Sequence, residues 1–120
     1  MGLTHVTVSL KALQNGGEAF EADFLVDTRA TDSLAPGSQL RRVGVQAAGT
    51  TVYELADGSM QEYEFGLVEI RFMGEVTAGR VIFGLDTAEP LLGVITLESV
   101  GITIDPANRT LKRLPAIQLK

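Results

Sequence analysis

The chain has 120 residues, of which 45% are hydrophobic and 21% charged, so it has the composition of a globular protein and the length of one ordinary domain, residues 1–120. Its formal net charge of -5 provides no general positive field, and neither nucleic acid nor an anionic membrane is an expected partner. The lack of cysteine excludes disulfides, thiolate metal sites and a thiol nucleophile.

Alternating side chains at the start of the chain predict two antiparallel strands. Thr4 to Leu10 alternates polar with apolar residues, as a half-buried strand does. Asn15-Gly16-Gly17 can supply the positive φ angles of a tight turn. The return strand, Glu18 to Asp27, has its apolar residues on one face, so Asp27 emerges on the polar side.

Asp27 ends an apolar run and begins a turn of small and polar residues. An Asp-Thr pair at the end of a strand is usually a turn former, because its side chain bonds the backbone two residues on. If the protein performs acid-base chemistry, however, Asp27 is the best placed carboxylate. Further along, Gly37 to Val43 predicts one or two turns of helix with Pro36 near its start.

The middle of the chain predicts a projecting hairpin. Thr50 to Leu55 and Met60 to Met73 are strand-like, and Asp57-Gly58 between them is a strong hairpin signal. Within the second arm the apolar positions switch from odd to even numbers, which a bulge at Gly66 would explain. Val76 to Phe83 is the next predicted strand.

The last third of the chain combines a short helix with a hairpin. Leu91-Leu92-Gly93 leads into a segment with apolar residues every three positions, which predicts one short amphipathic helix near residues 94–100 ended by Gly101. Ile102 to Asp105 and Arg109 to Leu114 are predicted to pair as strands. The predicted fold class is therefore mostly β.

Three separated features resemble the single-lobe, retroviral-type (retropepsin-like) aspartic protease family. The first is an apolar strand followed by Asp27-Thr28-Arg29-Ala30, where the family has Asp-Thr/Ser-Gly-Ala. The second is the hairpin around Asp57-Gly58, which resembles the family's flap. The third is Leu91-Leu92-Gly93 before the short helix. We interpret the Asp-Thr-Arg sequence as a bacterial-type form of the motif.

The resemblance implies a closed β-barrel-like acid protease lobe with a flap hairpin, acting on a peptide or protein substrate. Such enzymes need two carboxylates that share a proton, and one lobe holds one, so a homodimer is implied. The implied catalytic residues are Asp27 and Thr28, the latter bonding across the dimer axis. The implied substrate-binding residues are Arg29, Ala30, Ala56, Asp57, Gly58 and Ser59. No metal or other cofactor is implied.

Arg29 departs from the family, which has glycine at this position. It adds bulk and positive charge, and a guanidinium near a carboxylate favours the ionised form, whereas the two aspartates must share a proton. We therefore expect impaired activity, unless Arg29 points along the cleft towards an acidic substrate or Asp32. A solvated turn residue is the other interpretation of Arg29.

A second departure concerns the loop after Asp27. The viral enzymes pair an arginine after the Leu-Leu-Gly motif with an aspartate after the catalytic turn, but this chain has Val94 and Thr31 there. Other contacts are therefore expected to hold the loop.

Three functional classes remain open from the sequence. The chain is an active homodimeric aspartic endopeptidase, a catalytically silent relative that binds extended peptides in the same cleft, or an unrelated β-barrel in which Asp27-Thr28 is only a turn. A serine-type triad is not expected, since His5 is the single histidine and lies in a predicted strand. With no signal peptide pattern and no apolar run of roughly 20 residues, we expect a soluble cytoplasmic protein.

Overall fold

The computed structural model describes residues 4–14 and 17–119, and these residues form mostly β structure. The strands are β1 His5–Ala12, β2 Ala19–Val26, β3 Ser33–Pro36, β4 Gly49–Glu54, β5 Met60–Phe72, β6 Glu75–Gly84, β7 Leu91–Leu92, β8 Ile102–Asp105 and β9 Thr110–Arg113. The helices are α1 Gly37–Arg42 and α2 Val94–Ser99. The predicted class, including the short helix near residues 94–100, is confirmed. Asn15 and Gly16 of the first predicted turn lie outside the described residues.

The strands form a closed ring. The larger sheet has the order β1-β2-β7-β3-β6-β5-β4, and β1 also pairs with β5. This second pairing joins the two sides of the sheet into a barrel-like ring, while β4 lies outside it as an edge strand. In the described ranges β8 and β9 form a separate two-stranded sheet.

The core fills the inside of this ring. The alternation predicted for the first two strands is realised, since Val8, Leu10 and Phe24 are fully buried. Leu40 from α1 and Leu97 from α2 belong to the same buried cluster. Full burial of each such large apolar side chain is worth about 1.5 to 3 kcal/mol, so these residues fix which face of each element turns inward.

The strand β3 was not predicted from the sequence. Its four residues run parallel to β6 and, at Leu34, antiparallel to β7. Pro36 ends the strand and directly precedes α1, which agrees with the one or two helical turns predicted there. A four-residue strand is too short to show a period of two, which is why the pattern did not reveal it.

The strand β5 is continuous, so the predicted bulge at Gly66 is wrong. The register with β6 stays the same from Phe65 to Phe72. The apolar positions switch because β5 leaves the β4–β5 hairpin and enters the ring, where the opposite face of the same strand meets the core. Gly66 instead permits a close approach, since a Cβ atom there would lie 2.6 Å from Cγ1 of Val45.

The predicted hairpin between β4 and β5 is confirmed. The Leu55 N–H donates to the carbonyl oxygen of Ser59 at 2.8 Å, and the Gly58 N–H donates to that of Leu55 at 2.9 Å. Gly58 has φ of 86°, in the left-handed region that glycine adopts without steric cost. The Asp57-Gly58 pair therefore forms the tip of this hairpin.

The C-terminal elements also follow the prediction. Gly101 follows α2 with φ of 71°, as expected for a glycine that ends a helix. β8 and β9 pair antiparallel with Ile102 opposite Arg113. No helix in the described ranges has the length and apolar character needed to cross a membrane.

Candidate active site

Asp27 lies where three strands meet. It follows β2, which runs parallel to β7 with Val26 beside Leu92, and its N–H donates to the Leu92 carbonyl oxygen at 3.1 Å. On its other side β7 pairs with β3. The loop from Asp27 to Asp32 therefore begins at the carboxyl end of a strand that the ring holds on both sides.

Backbone hydrogen bonds tie this loop to the start of α2. The Val94 N–H donates to the Ala30 carbonyl oxygen at 2.8 Å, and the Ile95 N–H donates to that of Thr31 at 3.3 Å. Within the loop, the Ala30 N–H donates to the carbonyl oxygen of Asp27 at 3.1 Å. These backbone bonds hold the loop against α2. This agrees with the expectation that contacts other than an arginine-aspartate pair hold it, since Val94 and Thr31 occupy those positions.

A buried polar cluster lies directly beneath the loop. The Gly93 N–H donates to Oγ of Ser33 at 3.0 Å, and this hydroxyl also bonds Oγ1 of Thr96 at 3.2 Å. A Cβ atom at Gly93 would lie 2.6 Å from the carbonyl carbon of Asp32. The chain segments on either side of the site therefore touch backbone to backbone, and only glycine fits between them.

The Asp27 carboxylate is in contact with Arg29. Oδ1 of Asp27 accepts the Arg29 N–H at 3.0 Å, which is the turn geometry expected of an aspartate at this place. Nε of Arg29 lies 3.6 Å from the same oxygen. The Asp27 side chain is 23% exposed and that of Arg29 91% exposed. Arg29 thus lies beside the carboxylate in solvent, as the first of the two expectations had it, and the alternative contact with Asp32 is not formed among the described residues.

Arginine at position 29 imposes no backbone strain. Within the described residues, the non-glycine residues with positive φ are Met73 and Arg109. Arg29 therefore needs no glycine-like backbone angle. The effect of this residue on the site comes from its charge and its volume.

A cleft of about 180 Å³ separates the loop from the β4–β5 hairpin. Arg29, Ala30 and Asp32 line it on the loop side, and Tyr53, Glu54 and Leu55 line it on the hairpin side. Arg29 and Ala30 were predicted to line such a cleft. The other four predicted substrate-binding residues, Ala56 to Ser59, form the exposed tip of the hairpin and lie outside this lining.

A hydrogen bond that was not predicted joins the hairpin to the loop across the cleft. The Tyr53 hydroxyl donates to Oδ2 of Asp32 at 2.6 Å. Burial raises the pKa of Tyr53 above 10.0, as do the bond to Asp32 and its negative charge, while Arg80 acts in the opposite direction. The alternation of β4 could have indicated which way Tyr53 points, because it places Tyr53 on the other face of the strand from the exposed Val52 and Glu54.

The raised pKa of Tyr53 can be measured directly, because the chain has two tyrosines and no tryptophan. In a Tyr63→Phe variant, we expect the tyrosinate absorbance of Tyr53 to rise with a midpoint above pH 10.0. In Tyr63→Phe with Asp32→Asn the midpoint should move down, because the negative charge is removed. A Tyr53 midpoint at or below 10.0 in the first variant would contradict the hydrogen bond.

The same shift fixes the sign of the effect on stability. The folded-state pKa of Tyr53 lies above the unfolded value of 10.0, because burial and then the bond to Asp32 favour the protonated hydroxyl. The stability linked to this protonation is fully present below about pH 10 and is lost as the pH rises through the folded-state pKa.

Thr28 faces a different side of the molecule from the cleft. It lines a groove of about 410 Å³ with Val94 and Leu97 of α2 and with Leu114 and Ile117 of the C-terminal segment. Two of these apolar side chains, Leu114 and Ile117, are exposed to solvent. Thr28 and Arg29 are neighbours in sequence but belong to two separate surfaces.

The acid at the tip of the hairpin is a turn former. Asp57 accepts hydrogen bonds from the hydroxyl and the N–H of Ser59, and these bonds hold its pKa below the ordinary range. This agrees with the prediction of a hairpin turn at Asp57-Gly58. Across residues 4–14 and 17–119, no three histidine, aspartate or glutamate side chains are grouped so that they could hold a metal ion.

Solved structures with this fold are retroviral proteases and a domain like them. The chain superposes with a TM-score of 0.55 on the simian foamy virus (mac) protease, at 12% identity over 78% of this chain and 91% of that one. The score is also 0.55 for the EIAV protease complexed with the inhibitor HBY-793, at 17% identity over 87% and 93%. The retroviral protease-like domain of Ddi1 from Leishmania major gives 0.55, at 18% identity over 96% and 92%. The sequence matches no protein-family model, and no curated protein matches it significantly. The fold is therefore that of the retroviral proteases.

Proposed function

We propose that the protein is a retropepsin-like aspartic endopeptidase whose active site forms from Asp27 of two subunits. The position of Asp27 carries this proposal. Its partly exposed carboxylate stands at the junction of β2 and β7, next to a cleft that a hairpin bounds on the other side. In hydrolysis, one carboxylate takes a proton from water while the other gives its proton to the carbonyl oxygen of the peptide bond.

The second carboxylate is proposed to come from a second copy of the chain. Asp32, the other acid of the same loop, accepts the hydroxyl of Tyr53 and is engaged in that bond. A two-fold axis beside Asp27 would bring two identical carboxylates together. The face that carries Thr28 supports this arrangement, because Leu114 and Ile117 are exposed there and would be covered in a dimer.

The remaining residues receive roles from this arrangement. Thr28 would bond its counterpart across the axis, and Ala30 would form the floor of the cleft. The β4–β5 hairpin would act as a flap, with Ala56 to Ser59 over the substrate and an extended peptide adding to the edge strand β4. A single domain, a bacterial-type motif and a cytoplasmic location remain part of the proposal.

A silent, peptide-binding relative is the second candidate, and the position of Arg29 favours it. Its Nε lies 3.6 Å from Oδ1 of Asp27. In a dimer two guanidinium groups would stand beside the two carboxylates and add positive charge to the pair. Hydrolysis needs one shared proton, so this charge opposes catalysis although it leaves the cleft open for binding.

A comparison of the wild type with Arg29→Gly separates these candidates. We expect a dimer at micromolar concentration by sedimentation, and cleavage of a diverse peptide library at about pH 4 to 6. Specific activity should rise with protein concentration, because each site needs two chains. Arg29→Gly should turn over neutral peptides roughly tenfold faster, since it removes the charge beside Asp27.

The other outcomes decide against one candidate or against both. If Arg29→Gly cleaves peptides and the wild type does not, the wild-type protein belongs to the silent class. A monomer that cleaves nothing in either form would reject both candidates that use the cleft.

A further inference from the structure

We propose that Arg29 is a specificity-determining residue, which selects peptides with an acidic side chain close to the cleaved bond. The inference rests on the proposed function, because it assigns a substrate class to the same cleft. It is carried by the geometry of the guanidinium, by the other charges that line the cleft and by the charge balance of the paired site.

The guanidinium of Arg29 makes no hydrogen bond within the described residues, so its N–H groups can bind a ligand. Its side chain is 91% exposed, and its contact with Asp27 measures 3.6 Å between Nε and Oδ1, which is longer than a hydrogen bond. The hydrogen bonds in the described ranges include the backbone N–H of Arg29 but none from its side chain. An arginine presents its donors in a planar fork that matches a carboxylate in two places.

The other walls of the cleft do not compete for an anion. Arg29 is the basic residue of the described lining, and Leu34, Ile82 and Leu91 contribute apolar surface. The lining acids are Asp32 and Glu54. Asp32 already accepts the hydroxyl of Tyr53, and Glu54 lies exposed on the hairpin side. Arg29 is therefore the cation of the lining that a substrate carboxylate meets, whereas Arg80, which acts on Tyr53 from beside the cleft, already donates to Oγ1 of Thr51.

At the contacts between Asp27 and Arg29, the proposed dimer has an excess of positive charge. Two Asp27 carboxylates that share one proton carry one negative charge, whereas two Arg29 side chains carry two positive charges. A substrate carboxylate supplies the missing negative charge. By drawing a guanidinium from Asp27, it also relieves the charge that opposes the shared proton. An acidic side chain should thus raise kcat as well as lower KM.

The test is a scan of matched peptides. A cleaved parent peptide is remade with Glu or Gln at each position from three residues before to three residues after the cleaved bond, and kcat/KM is measured for each pair. We expect at least one position where the wild type prefers Glu by roughly ten- to hundredfold, the range of a hydrogen bond to a charged group. The preference should weaken as salt is added.

Substitutions at position 29 test whether the preference for Glu depends on Arg29. In Arg29→Gly the ratio of Glu to Gln should fall to about one, and in Arg29→Glu it should invert in favour of peptides with Lys at that position. Glu54→Gln is the matched control, because it changes a charge of the same cleft and should keep the preference. A preference that survives in Arg29→Gly, or its absence at every scanned position, would overturn the inference.

Binding keeps this test separate from the test of catalysis. The same Glu and Gln peptides, with the scissile amide replaced by a reduced bond, are titrated calorimetrically into the wild-type dimer and into Arg29→Gly. A Glu preference that depends on Arg29 without any hydrolysis would support the inference and reject only the catalytic proposal. Equal binding of both peptides by the wild type would reject the inference even if hydrolysis occurs.

Discussion

Asparagine in place of Asp27 is expected to reduce peptide hydrolysis by at least about a thousandfold and to leave the fold unchanged. The variant loses both carboxylates of the proposed dimer at once, so the site can neither take a proton from water nor donate one to the carbonyl oxygen. Asparagine has the same shape, and its Oδ1 can still accept the Arg29 N–H that Asp27 accepts at 3.0 Å. The measurement is kcat/KM on a cleaved peptide, with circular dichroism and sedimentation as checks on fold and assembly.

Asp23→Asn is the matched control for this prediction. Asp23 lies in β2, the strand that Asp27 follows, and its Oδ1 accepts the hydroxyl of Thr7 at 2.9 Å, a bond that asparagine can keep. This variant should retain full activity. Hydrolysis that persists in Asp27→Asn would show that another group performs the chemistry and would remove the basis of the assignment.

Alanine in place of Gly93 is expected to destabilise the protein by about 3 kcal/mol or more, the upper part of the range for overpacking. Its Cβ would lie 2.6 Å from the carbonyl carbon of Asp32 and 2.8 Å from the carbonyl oxygen of Thr31. These are backbone atoms, so no side chain can rotate away. Relief requires the loop after Asp27 to move away from α2, which would stretch the bonds that Val94 and Ile95 donate to it.

Gly79→Ala is the control for Gly93→Ala. At Gly79, in β6, an added Cβ would meet Cδ1 of Ile70 at 3.9 Å, an ordinary contact. Urea denaturation and the melting temperature report both changes. We expect a drop of roughly 10 °C or more for Gly93→Ala, or an insoluble product, and a shift of only a few degrees for Gly79→Ala. Equal stability of the two variants would contradict the close approach beneath the site.

The parts of the fold that the sequence predicted are those where a local pattern decides the structure. β2 alternates over its whole length, so its buried face and the emergence of Asp27 at its end could be derived. The Asp57-Gly58 pair predicts its own turn, because the aspartate bonds Ser59 and the glycine adopts the positive φ that the turn needs. Leu91-Leu92-Gly93 was recognised because its order and distance from Asp27 resemble a family.

The parts that the sequence did not predict depend on neighbours that are remote in the chain. The apolar switch in β5 looked like a bulge, but it records a change of surroundings along one unbroken strand. The bond between Tyr53 and Asp32 joins residues 21 positions apart on separate elements. No local pattern around either residue indicates that the other is its partner. Arg29 could be identified as a departure, but only the structure gives its contact with Asp27.

The uninterrupted course of β5 has a mechanical consequence. Its 13 residues extend from the hairpin next to the cleft into the wall of the ring, without a loop or a glycine of positive φ between the two parts. Along this arm the hairpin therefore has no hinge at its base, and β5 itself must bend or twist when the hairpin moves. At Gly66 the strand lies against Val45, in the segment between α1 and β4, so the stiffness of the hairpin depends on packing at its base.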